Sequence, residues 1–182
     1  MRAILIAGLL LISGLPGMTR LTAAADAALA KFFGTYAGTI NQAPNDPLMP
    51  RDLATKISPY GEDGFTLEWT TVIYRVEGPK RQSYTINFSP TDRPGIFYSA
   101  MRSDLFGQSE PLDPLKGDPY LWAELGGRTL TVHAMLITDD GGYEMQTYKR
   151  TLAEGGIILK FSRDHNGKAM KTIIGKLKRV AS

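Results

Sequence analysis

The 182-residue sequence has no cysteine. Disulfides, thiolate metal sites, a cysteine nucleophile and thiol redox chemistry are therefore excluded. Histidine is scarce as well. His133 and His165 are the whole supply, and no H-x-H or H-x-x-x-H spacing joins them, so no metal centre is expected. His165 stands in a turn sequence with Asn166-Gly167, where exposure is the ordinary fate. No serine lies in a G-x-S-x-G context, and no G-x-G-x-x-G follows a strand pattern. Asp139 and Asp140 are adjacent, point apart in an extended chain, and lack the further oxygen ligands that calcium needs. No pair of carboxylates is marked as general acid and base. Catalytic residues, metal ligands and cofactors are all unmarked, and an enzyme ranks behind the two other functional classes considered below.

Long apolar runs are confined to the start. Met1-Arg2 is a short positive segment, Ala3 to Leu15 is an apolar run of 13 residues with Ser13 its one polar side chain, and Pro16-Gly17 interrupts it. Ala23-Ala24-Ala25 then supplies small residues before Asp26. This is the order of a secretory signal peptide, which predicts a leader over 1–25 and a single mature domain over 26–182. Ala28-Leu29-Ala30 offers a competing cleavage point. The apolar run is short for a membrane span, and no second candidate follows. The expected location is the periplasm or the medium. Removing the leader takes Arg2 and Arg20 and no acid, so the formal charge of +3 falls to +1. The charges are unevenly spread, because Lys149, Arg150, Lys160, Arg163, Lys168, Lys171, Lys176, Lys178 and Arg179 crowd the C-terminal part of the chain. Such a stretch attracts anionic surfaces. Nucleic acid is not an expected partner, since no recognition module or aromatic interleaving accompanies the charge.

What the rest contains is a succession of short β-prone runs divided by Gly, Pro, Asn and Asp. A helical turn over 26–33, capped by Asp26 and stopped by Gly34, comes first. Strands are then expected over 35–40, 53–58, 65–76, 82–88, 96–101, 120–125, 129–138, 143–152, 157–162 and 169–177. Asp139-Asp140-Gly141-Gly142 is the sharpest hairpin signal, because Asp and Gly tolerate the positive φ of tight turns. The interval 102–119 reads as a long connection that either covers a barrel mouth or clamps the outside of the sheet. No helical pattern separates the strands, so a βαβ sheet is disfavoured. An all-β antiparallel meander follows, and closing it into one water-soluble barrel of eight to ten strands removes the exposed edges that a sandwich would keep.

Alternation sorts side chains into two faces without saying which is inside. Phe65, Leu67, Trp69, Thr71 and Ile73 share one face; Tyr143, Met145 and Thr147 oppose Glu144, Gln146 and Tyr148. A barrel of this size either fills its centre or encloses a ligand-sized space. Tyr36, Trp69, Trp122, His133 and Tyr143 are the candidates for lining such a space. Glu68 or Glu144, if turned inward, would need an arginine partner such as Arg75, Arg150 or Arg163.

The segment Lys31-Phe32-Phe33-Gly34-Thr35-Tyr36 resembles the opening of the first barrel strand in lipocalins and their relatives, the calycin superfamily. Those proteins place Gly-x-Trp after a short helical turn; here Tyr36 stands where the tryptophan would be. The resemblance implies that a basic residue near the last strand packs over this ring and closes the base; Arg163 and Arg179 are the candidates, and Arg179 fits better by position. It also implies a small apolar ligand within the barrel and no common catalytic set. The leading expectation is an exported barrel that binds a small hydrophobic or amphipathic ligand. A packed module that contacts another envelope protein or an anionic surface is the alternative.

Overall fold

The computed structural model describes residues 27–40, 50–99, 101–103 and 109–181. The leader expected over 1–25, the cap at Asp26, the turn at 41–47 and Leu105-Phe106 of the long connection lie outside the described residues.

Twelve strands appear in the order β1 Gly34–Ile40, β2 Arg51–Tyr60, β3 Gly64–Arg75, β4 Gly78–Pro90, β5 Ile96–Ser99, β6 Met101–Ser103, β7 Ser109–Pro111, β8 Tyr120–Gly126, β9 Thr129–Ile137, β10 Tyr143–Ala153, β11 Gly156–His165 and β12 Lys168–Ala181. Ten of them form one closed antiparallel barrel in the order β1-β12-β11-β10-β9-β8-β5-β4-β3-β2, and β6 pairs with β7 alone. The fold is an all-β meander in which chain neighbours are sheet neighbours, apart from the β1–β12 closure and the step from β5 to β8. Among the described residues no helix is long and apolar enough to cross a membrane.

Turn chemistry fixes the register. Between β11 and β12, Asn166 and Gly167 both have positive φ, 48° and 76°, as a tight hairpin requires. The Asn166 side chain also accepts a hydrogen bond from the Tyr143 amide at 2.9 Å. Between β9 and β10, the Asp140 carboxylate accepts from the Gly142 amide and the Thr138 hydroxyl.

Strand alternation gives the barrel two unlike ends. At the end where β1 begins, the inward side chains are large and apolar: Phe65, Phe88 and Leu130 are fully buried. Phe65 stacks on Phe88 at 4.8 Å and meets Phe97 edge-on at 5.2 Å. A helical turn over residues 27–30 caps this base by sinking Leu29 and Phe32 into the same core. Gly34, at φ 137°, redirects the chain from that turn into β1. The Tyr36 hydroxyl donates back to the Phe32 carbonyl at 2.8 Å. Arg179 then ties the parts together. Its guanidinium lies 4.8 Å from the Tyr36 ring centre and donates to the carbonyls of Lys31 and Phe33 and to the Tyr36 hydroxyl oxygen.

The opposite end, where β1 ends and β2 begins, is an open mouth among the described residues. One seam of the wall is thin there. β4 pairs with β5 only at Ser89–Tyr98 and Pro90–Phe97, so the earlier part of β4 has no ladder partner on that side among the described residues.

Candidate functional site

The lumen changes character half-way up. Above the apolar base lies a cavity of about 560 Å³. It is lined on one side by inward residues of β2, β3 and β4 and on the other by those of β9, β10 and β11. On β3 the inward set is Phe65, Leu67, Trp69, Thr71 and Ile73; the first two fill the base and the last three line the cavity. On β10 the inward set is Gln146, Tyr148 and Arg150.

β3 and β10 lie across the barrel from one another in the strand order, and their side chains meet in the middle. Trp69 and Tyr148 have ring centres 5.7 Å apart. Tyr84 packs on Trp69 at 5.0 Å, and Phe161 packs on Tyr148 at 4.8 Å. The four rings form a continuous aromatic bridge across the lumen. Offset and tilted pairs of this kind are favourable beyond the area they bury.

A polar column runs along the same wall. The Tyr148 hydroxyl donates to the Gln146 carbonyl oxygen at 2.7 Å, and the Gln146 amide donates to Glu144 at 2.6 Å. Glu144 ends the column near the mouth, 3.7 Å from Arg163 Nε. Burial pushes the Tyr148 phenol up to about 12, so it stays protonated and serves as a donor. One alternation deeper stands Arg150, 1% exposed. Its Nε and Nη1 have no hydrogen-bond partner among the described residues, and its guanidinium carbon is 5.8 Å from the Tyr148 ring centre. Burial lowers its pKa to about 10, which leaves it charged at neutral pH.

The residues singled out from sequence separate into three places. Trp69 lines the cavity. Tyr36 and Arg179 belong to the base closure, with Tyr36 completely buried in the core beneath the cavity. Trp122, His133 and Tyr143 are on the outer wall, because Leu121 and Ala123 take the inward positions of β8, Val132 and Ala134 those of β9, and Gln146 and Tyr148 those of β10. Trp122 and His133 are cross-strand partners whose rings stack at 4.7 Å. His133 also sits 3.3 Å from the Thr147 hydroxyl and 3.7 Å from Glu124. Burial lowers the His133 pKa, and Glu124 opposes the shift. Glu68 is outside too, paired with Lys56 at 3.0 Å. Tyr84, Gln146, Tyr148 and Phe161 line the cavity without having been named as site candidates, and Arg150, considered only as a partner for an inward carboxylate, lines it too. Their signal was the i, i+2 spacing on β4, β10 and β11, once the inward face was fixed.

No protein-family model matches the chain, and a search of curated proteins returns no match.

Proposed function

We propose that the protein is an exported barrel that holds a small amphipathic molecule in the mouth half of its lumen. The observation that carries this reading is the cavity itself. Its 560 Å³ falls within the range of roughly 300–1,000 Å³ typical of small-molecule sites. An aromatic bridge across the lumen and a polar column along β10 suit a ligand of two characters. The ten-strand closure, the helical turn beneath it and the Tyr36–Arg179 contact support a lipocalin-like, calycin reading of the fold. Export rests on the leader expected over 1–25. Burial of Leu29 in the base core favours cleavage after Ala25, since cleavage after Ala30 would remove that side chain.

Native mass spectrometry of the mature protein from its own host tests this reading. The expected result is a discrete extra mass that is recovered repeatedly and lost on unfolding. A clean apo mass together with no uptake of small apolar probes would overturn it.

A second reading is favoured by one feature of the outer wall. Lys149 and Lys160 stand directly opposite each other on β10 and β11, an arrangement that destabilises a sheet. Lys176, Lys178 and the exposed Ile158 and Ile174 continue the same face. This wall fits an anionic surface, either another envelope protein or a membrane. Cosedimentation with phosphatidylglycerol vesicles, compared with phosphatidylcholine vesicles, tests the membrane form.

A further inference from the structure

We infer that the molecule held in the cavity is an organic anion, with its negative group paired to Arg150 and a flat apolar body against the aromatic bridge. The inference rests on the ligand-binding reading and narrows it to a chemical class. A buried guanidinium is costly unless a counter-charge and hydrogen-bond acceptors compensate it. Around Arg150 the described chain supplies neither. Nε and Nη1 are buried and without hydrogen-bond partners, and the adjacent Tyr148 offers a ring face and a hydroxyl already donated to Gln146.

The carboxylate that shares the inward face of β10 with Arg150 is Glu144. It is engaged by Gln146 and Arg163 near the mouth. Six strand positions separate it from Arg150, about 20 Å along an extended chain. That span is beyond the reach of the two side chains. The cation is therefore placed at the deep end of a ligand-sized space with its own acid held away from it. An oxyanion entering from the mouth would supply both the missing charge and the missing acceptors, in the manner that makes arginine the usual partner of carboxylates. Beside it, Trp69, Tyr84, Tyr148 and Phe161 offer ring surface to the rest of the molecule.

Two probes that share one aromatic frame separate the charge from the shape: anionic 1-anilinonaphthalene-8-sulfonate and neutral N-phenyl-1-naphthylamine. The folded wild-type protein is expected to bind the anionic probe about tenfold or more tighter than the neutral one, the effect of losing a charge-assisted hydrogen bond. Arg150→Met should abolish that preference and leave the neutral probe bound within about threefold, a factor that corresponds to a small free-energy difference. The unliganded variant should also melt at or above the wild-type temperature, because it no longer buries an uncompensated charge. Binding of both probes to wild type without an anionic preference would overturn the inference and leave the cavity reading standing. Equal losses of both probes in the variant would show that Arg150 only shapes the space. Binding of neither probe to the wild-type protein would remove the ligand reading and this inference together.

Discussion

Trp69 and Trp122 carry the same side chain into opposite environments, and alternation alone separates them. Trp69 faces the lumen between Tyr84 and Tyr148, whereas Trp122 stacks outside on His133. The outer stack shields the imidazole, and its pKa falls chiefly through burial. The sign of the resulting pH dependence follows from linkage. An unfolded imidazole takes up its proton near pH 6.5, the folded one only at lower pH. The unfolded chain thus binds more protons in that window, so the contribution of His133 is present above about pH 6.5 and is lost as pH falls toward the folded value. Denaturant midpoints measured at pH 7 and pH 5 should therefore drop less in His133→Gln than in wild type. Identical drops would refute a buried, neutral His133.

At the scale of elements, the base and the mouth do different work. The base is fixed by the helical turn, β1 and β12 meeting around Tyr36, with Arg179 holding two backbone carbonyls of the turn. Arg179→Ala should lower unfolding free energy by about 1–3 kcal/mol, the usual range for hydrogen bonds to a charged group with allowance for partial exposure. A loss below about 0.5 kcal/mol in chemical denaturation, the size of an ordinary surface change, would contradict its role in closing the barrel. The strands themselves were legible in the sequence because Gly, Pro, Asn and Asp punctuate them; Asp139-Asp140-Gly141-Gly142 and His165-Asn166-Gly167 both separate strands as their chemistry dictates. The inward faces were less legible. On β3 the apolar face points inward, but on β10 the inward face carries Gln146 and Arg150 while Met145 and Tyr143 face out. Aromatic content alone selects Trp122 and Tyr143. Only cross-barrel pairing, which no single strand encodes, selects Tyr148 and Arg150. Strand ends also ran past the expected limits, with β12 continuing to Ala181 because β1 is there to pair with it.

For the whole molecule, closure removes the sheet edges apart from the early part of β4 and lets one half of the lumen be packed while the other stays hollow. The packed half depends on the helical turn over residues 27–30. A chain beginning at Lys31 lacks Leu29, and it should be less stable than one beginning at Asp26 by about 2–5 kcal/mol, the range for losing a buried leucine. Equal stability in denaturant titrations would show that the turn is dispensable. The hollow half is the proposed ligand site, and Trp69 is its built-in reporter. The most direct measurement is the fluorescence of Trp122→Phe, which retains Trp69 alone, titrated with 1-bromonaphthalene, a neutral heavy-atom quencher that acts only at contact, beside the reciprocal Trp69→Phe. Saturable contact quenching of Trp69 at one probe per barrel is expected, with only a slight, linear change for Trp122. Stronger saturable quenching of Trp122 would place the binding site on the outer wall, and quenching of neither would mean that the lumen takes no ligand.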